Sequence, residues 1–171
     1  MYRKDILKKA TLAGLLSALG VTLSFVSIPV GPTRCFPFQH AINVITGIVL
    51  GPFWATGAAF TTSLIRNLIG TGSLFAFPGS MFGAFFVGTA AKFLTDRSKL
   101  AAALAEPIGT GIIGAWISSL VVAPFIGKSI SFGFFSVPFL ISSIPGTLIG
   151  AVLIYCLGKR EIFAKEIDAF R

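Results

Sequence analysis

Acidic side chains are scarce in this sequence: six Asp and Glu stand among 171 residues, and Lys and Arg bring the charged fraction to only 12%. A soluble domain carries about a quarter of its residues charged, so a water-facing surface of ordinary kind is excluded. Histidine occurs once and cysteine twice, and no pair or cluster has metal-ligand or redox spacing. Cys35 and Cys156 fall near opposite ends of the expected topology, which argues against a disulfide between them. No G-x-x-x-x-G-K-[ST] stretch occurs either, so the chain cannot hydrolyse ATP by the P-loop route.

Apolar residues fill the space that charge leaves. They make up 54% of the chain, and the mean hydropathy is +0.89. Runs of the length that spans a bilayer, about 17 to 25 residues, fall at Ile6–Ile28, Phe53–Ile69, Pro78–Leu94, Leu100–Ala123 and Phe134–Leu157, with a shorter sixth at Phe38–Gly51. The expected architecture is all-α: a single polytopic membrane domain over residues 1–171, built as a bundle of six transmembrane helices. The first run is too long for the apolar region of a cleaved signal peptide and is expected to remain in the mature protein.

The net charge of +8 follows from membrane topology. Arg3, Lys4, Lys8 and Lys9 precede the first run, Lys92, Arg97 and Lys99 sit between the fourth and fifth, and Lys159, Arg160, Lys165 and Arg171 follow the sixth. These are eleven of the fourteen basic residues, and six spans put them all on one side, which makes both termini cytoplasmic. Arg34, Arg66 and Lys128 lie on or near the other side. The basic residues flank apolar runs and are not interleaved with aromatics, so nucleic acid is not an expected partner.

Small residues recur at four-residue spacing: Ala10, Gly14 and Ala18; Gly47 and Gly51; Gly79 and Gly83; Ala101, Ala105 and Gly109; Gly146 and Gly150. Such stripes let helices approach closely, and most are expected to serve packing inside the bundle. Ala10, Gly14 and Ala18 fit either internal packing or the docking of a partner.

The polar residues within apolar surroundings gather toward the outer side. The segment 29–39, with Pro29, Pro32 and Pro37, is expected to be irregular and leads into Gln39, His40 and Asn43. His40 and Asn43, three residues apart, share a helix face. His40 fits either an interfacial side chain or a member of a site. Arg66 and Asn67 end the third run, where an arginine must snorkel or find a partner. The following segment is apolar yet broken by Gly70, Gly72 and Pro78, and irregular backbone at membrane depth requires cover by protein or a cavity. Pro78 suits a first helical position, which would leave free N–H groups near Gly79, Ser80 and Met81. The outer half of the bundle thus collects Gln39, His40, Asn43, Arg66, Asn67 and Ser80 among Phe36, Phe38, Phe75 and Phe77, a mixture suited to a small-molecule pocket. Glu106, inside the fifth run and nearer the cytoplasm, fits either a functional carboxyl or an interhelical one, and a direct pair with Arg66 is not expected.

The runs "GPTRCFPFQHAINVITGIVLGP", "TSLIRNLIGTGSLFAFPGSMFGA" and "AEPIGTGIIGA" resemble the ThiW family of substrate-specific S components of energy-coupling-factor (ECF) transporters, and the similarity covers nearly the whole chain. The resemblance implies a six-helix protein of a prokaryotic cell membrane that captures a thiamine precursor from outside, with the hydroxyethylthiazole moiety as the first expectation and thiamine or its pyrimidine moiety as alternative ligands. It implies assembly with a transmembrane coupling subunit and two cytoplasmic ATPases, docking through a small-residue ladder that Ala10, Gly14 and Ala18 match in spacing, with glycine where alanine is usual. It also implies that the loop 29–39 closes over the ligand. The substrate-binding residues so expected are Phe36, Phe38, Gln39, His40, Asn43, Arg66, Asn67, Phe77, Ser80 and Glu106, with no cofactor, metal or catalytic residue. Two other readings are open. One is an intramembrane enzyme using His40 or Glu106 as acid or base, which no nucleophile–base spacing supports. The other is a self-contained facilitator, for which the inverted repeats of secondary transporters are lacking.

Overall fold

The structure, a computed structural model, describes residues 2–30, 33–94 and 99–158. The chain runs through α1 (Tyr2–Leu23), a β-hairpin of β1 (Ile28–Val30) and β2 (Thr33–Cys35), α2 (Pro37–Leu50), α3 (Pro52–Leu68), α4 (Ala76–Phe93), α5 (Leu100–Phe125) and α6 (Phe132–Gly158). Of the basic residues that set the expected orientation, Arg97, Lys159, Arg160, Lys165 and Arg171 lie outside the described residues, as do Gly31 and Pro32 of the outer segment.

The fold is all-α apart from the hairpin. Among the described residues three helices are long and apolar enough to cross a membrane: α1 over Arg3–Leu23, α5, and α6. The other three are shorter or more polar. α2 has 14 residues and is the centre of the molecule, with 12 of them buried, packed against α1, α3, α4 and α6. The side-chain distribution is that of a lipid-embedded protein. Leu15, Phe53, Leu68, Phe93, Phe125 and Leu148 are exposed, while Gln39, Asn43, Arg66, Glu106 and Ser143 are buried. An apolar exterior of this extent is stable only against lipid or a partner.

Several boundaries differ from the sequence expectation. α1 stops at Leu23, because Ile28 pairs with Cys35, Pro29 with Arg34 and Val30 with Thr33 in an antiparallel ribbon. The described residues of the segment 29–39 are therefore not irregular: Pro29, Val30 and Thr33–Cys35 are in strands, and α2 begins at Pro37, whose missing N–H costs nothing in a first turn. α4 begins at Ala76, two residues before Pro78. Ala76 N–H donates to Ser73 O, and Gly79 N–H donates to Phe75 O at 3.4 Å, so Gly79 has no free N–H for a ligand. α2 turns directly into α3 at Gly51, whose φ of +80° only glycine adopts without strain.

Close helix contacts account for most of the small-residue stripes. A Cβ on Gly150 would stand 2.8 Å from Val44 Cβ and 2.9 Å from Ala41 O, and one on Gly47 would meet Val87. Gly109 faces Phe82 O and Gly114 faces Gly79 Cα across the α4–α5 seam. Within this seam α5 is wound wide, as π-helix, over Gly109–Gly114 and again over Ser118–Val122. Ala10, Gly14 and Ala18 behave differently. All three are exposed, and nothing in the chain lies within 4 Å of a Cβ placed on Gly14. Internal packing of α1 uses the neighbouring face instead, with Ala13 and Ser17 buried and Ser17 Oγ donating to Ala13 O and close to Ala58 O.

Candidate functional site

The hairpin, the 69–75 loop and the first turns of α2, α4 and α6 come together at one end of the molecule and enclose a cavity of about 630 Å³. That size falls in the range of small-molecule sites, about 300–1,000 Å³. One side of its wall is aromatic: Phe36 from the hairpin exit, Phe75 before α4, and Phe134, Phe135 and Phe139 from α6. Phe135 stacks tilted on Phe75 at 4.5 Å and on Phe139 at 6.2 Å.

A continuous hydrogen-bonded chain of side chains forms the polar wall. Arg66 Nη1 donates to Gln39 Oε1 at 2.9 Å, Gln39 Nε2 donates to Ser80 Oγ at 2.9 Å, and Ser80 Oγ donates to Asn43 Oδ1 at 3.1 Å. Asn43 Nδ2 reaches Ser80 O and, at 3.3 Å, Glu106 Oε1. That same oxygen accepts from His40 Nδ1 at 2.6 Å and lies 2.8 Å from Thr110 Oγ1, which is also 2.8 Å from Gly79 O. The glycine seam makes this possible, because a Cβ on Gly83 would collide with Glu106 Oε1 and Thr110 Oγ1. With Nδ1 committed to Glu106, His40 has Nε2 for other partners, and the pairing fixes the ring orientation.

Arg66 is held from three sides. Besides Gln39, its Nη2 donates to Thr71 O at 3.2 Å, and its Cζ stands 4.0 Å over the Phe36 ring. The Arg66 carbonyl in turn accepts from Thr71 N and Gly72 N, both at 2.9 Å, across the turn that Gly70 makes at φ +77°. Ser142 Oγ accepts from Phe36 N at 2.7 Å and ties the hairpin exit to α6, and Cys35 Sγ lies 3.5 Å from Pro138 O.

Of the ten residues expected at the site, Phe36, Gln39, His40, Arg66 and Ser80 line the cavity. The other five do not. Asn43 and Glu106 sit one layer below as the partners of Ser80 and His40, so Glu106 joins α5 to α2 and not to Arg66. Asn67 turns away and braces the loop, its Nδ2 donating to Ser63 O and Ser73 O at 2.8 and 3.0 Å. Phe77 packs on Phe60 at 5.5 Å. Phe38 is half-buried outside the lining. Lining residues absent from the expectation include Ser24, Arg34, Thr71, Thr110, Phe135, Phe139 and Ser142. A helical spacing of four and three puts Phe135, Phe139 and Ser142 on one face of α6, which was the available signal.

A family model described as ThiW, thiamine-precursor transporter protein, matches residues 10–160. No curated protein matches the sequence. Among solved structures, the crystal structure of the S-component for biotin from an ECF-type ABC transporter is similar, with a TM-score of 0.57 and 23% sequence identity over 91% of this chain and 95% of that one. At that identity the likeness is one of fold.

Proposed function

The chain belongs to the ThiW family of thiamine-precursor transporter proteins, and from that premise we propose that it is the substrate-capture subunit of an ECF-type importer. It takes up a thiazole-like thiamine precursor, with hydroxyethylthiazole as the first ligand to test. The observation that carries this reading is the enclosed 630 Å³ cavity at the hairpin end, walled by phenylalanines and by the Arg66–Gln39–Ser80 chain and His40. Aromatic faces suit a flat heteroaromatic ring, and convergent donors and acceptors fix its orientation.

In this reading the six helices all span the membrane, the hairpin end faces outward, and both termini are cytoplasmic. The described basic residues support it: Arg3, Lys4, Lys8, Lys9 and Lys92 lie toward the end away from the cavity, and Arg34 and Arg66 at the cavity. The hairpin and the 69–75 loop are the movable cover. Ala10, Gly14 and Ala18 are the docking face for a transmembrane coupling subunit that works with two cytoplasmic ATPases. Their exposure and the open space at Gly14 favour this over internal packing.

Calorimetric titration of the purified protein with hydroxyethylthiazole, thiamine and the pyrimidine moiety tests the ligand. Tight binding of the thiazole alone is expected, and binding of only the pyrimidine or of none overturns the assignment. Co-purification with two ATPases separates this reading from a self-contained facilitator, and unchanged release of the ligand separates it from an enzyme.

A further inference from the structure

Arg66 is 2% exposed, so its charge is withdrawn from headgroups and water alike. A buried cation is stable when a counter-charge and hydrogen-bond acceptors surround it. Among the described residues no carboxylate pairs with it, and the ion pair that they contain joins His40 to Glu106. Glu106 is turned to His40, Asn43 and Thr110 and does not line the cavity. Arg66 has neutral partners instead: an amide oxygen, a backbone carbonyl and an aromatic face. A guanidinium carries five N–H donors, and the buried Nε of Arg66 meets no acceptor.

The cavity wall has the same imbalance. Among the described residues its ionisable members are Arg34, His40 and Arg66, with no Asp or Glu. The guanidinium is also positioned before any ligand arrives, because Gln39 on α2, Thr71 after α3 and the Phe36 ring hold it from separate elements. A rigid fork of donors next to an enclosed space matches the geometry of a carboxylate or a phosphate.

We propose that Arg66 is the counter-cation for an anionic group on the ligand, so that the site takes a ring compound bearing a phosphate or a carboxylate in preference to its neutral relative. This rests on the reading of the cavity as a thiazole-precursor site, and within that class it selects the charged members over the neutral alcohol. The anion sits at Arg66, with Arg34 at the hairpin adding positive potential, and the ring lies against Phe75, Phe135 and Phe139.

The test uses the full chain in detergent with four probes: hydroxyethylthiazole, its phosphate monoester, a thiazole carboxylate and inorganic phosphate. Dissociation constants and melting temperatures are measured for the native sequence, Arg66→Met, Arg66→Lys and Gln39→Glu. At least one charged thiazole is expected to bind about tenfold or more tightly than the alcohol, which is about 1.4 kcal/mol, and which of the two does so identifies the anion. Arg66→Met removes the preference and Arg66→Lys restores part of it. Gln39→Glu puts a carboxylate beside Arg66 in place of the amide that donates to Ser80, so it is expected to fold and to lose the preference even if Arg66→Met does not fold. Equal or tighter binding of the alcohol overturns the proposal, as does an anion preference that survives in Gln39→Glu. If no thiazole binds, the thiazole reading fails on its own. Inorganic phosphate then decides the anion proposal: stabilisation of the native sequence but not of Gln39→Glu upholds it, and equal response overturns it.

Discussion

His40, in the cavity wall, and Glu106, one layer below it, meet across the α2–α5 boundary with Nδ1 2.6 Å from Oε1, both buried. One carboxyl oxygen gathers His40, Asn43 and Thr110; His40 Nδ1 relies on it, while Asn43 Nδ2 also reaches Ser80 O and Thr110 Oγ1 also reaches Gly79 O. Glu106 thus orients His40, a lining residue, from beneath without reaching the cavity itself.

Removing the acceptor strands the buried His40 Nδ1 and leaves Asn43 and Thr110 with their backbone acceptors alone. Glu106→Ala is expected to cost about 3–5 kcal/mol of stability, the scale for breaking a buried pair, while Glu106→Gln keeps an acceptor and costs less. Thermal unfolding in detergent measures both, and an unchanged midpoint for Glu106→Ala contradicts the interhelical role.

His40 lines the cavity and Asn43 does not, so their substitutions separate. His40→Gln should weaken ligand binding by about 1–3 kcal/mol, the cost of an unmade buried hydrogen bond, in a protein that still folds. Asn43→Ala should lower the melting temperature first, through Ser80 and Glu106. Equal loss of affinity with unchanged melting in both variants would place Asn43 in contact with ligand after all.

Two glycines make opposite predictions. Gly14→Leu enters open space, so ligand affinity and melting temperature should match the native protein while assembly with the coupling subunit fails. Gly83→Ala drives a methyl into Glu106 and Thr110 and should cost about 1–3 kcal/mol as overpacking. Joint loss of stability and affinity in Gly14→Leu speaks against a docking face.

Asn67 holds Ser73 O from the end of α3. In Asn67→Ala, amide hydrogen exchange at residues 70–75 should accelerate, with the helices unaffected. Exchange identical to the native protein there shows that Arg66 alone fixes the loop.

Burial in apolar surroundings pushes the Cys35 thiol above the ordinary cysteine range, and the thiolate is the form that reacts. With Cys156 replaced by serine, maleimide labelling of Cys35 should be slow at neutral pH. It should quicken as pH rises through that elevated range and slow further once ligand holds the hairpin down. Fast labelling at neutral pH, unaffected by ligand, shows a hairpin that does not cover the site.

The helical runs were legible because each is a long apolar segment bounded by glycine, proline or charge, and the same scarcity of polar groups singled out Gln39, His40, Arg66 and Ser80 as cavity residues. Sequence spacing failed where orientation depends on tertiary contacts. Phe77 and Asn67 stand beside lining residues in the chain, yet Phe60 and Ser73 draw them away. The hairpin escaped because its strands are three residues each, too short for alternation to register. The π-helical winding of α5 has no periodic signature in so apolar a run, and without it the approach of Thr110 to Gly79 could not be foreseen. Phe135, Phe139 and Ser142 carried a readable face, but in an almost wholly apolar helix that face resembles any other.

The glycine contacts that join α2 to α4 and α6, and α4 to α5, separate what the protein is made of from what it holds. Gly150, Gly47, Gly109 and Gly114 meet neighbouring helices chiefly through backbone atoms and the short side chain of valine, and none of them lines the cavity. For an engineer this is a chassis: the residues that choose the cargo, Phe36, Gln39, Phe135, Phe139 and Ser142, can be exchanged as a set at the hairpin end while the seams below are left as they are.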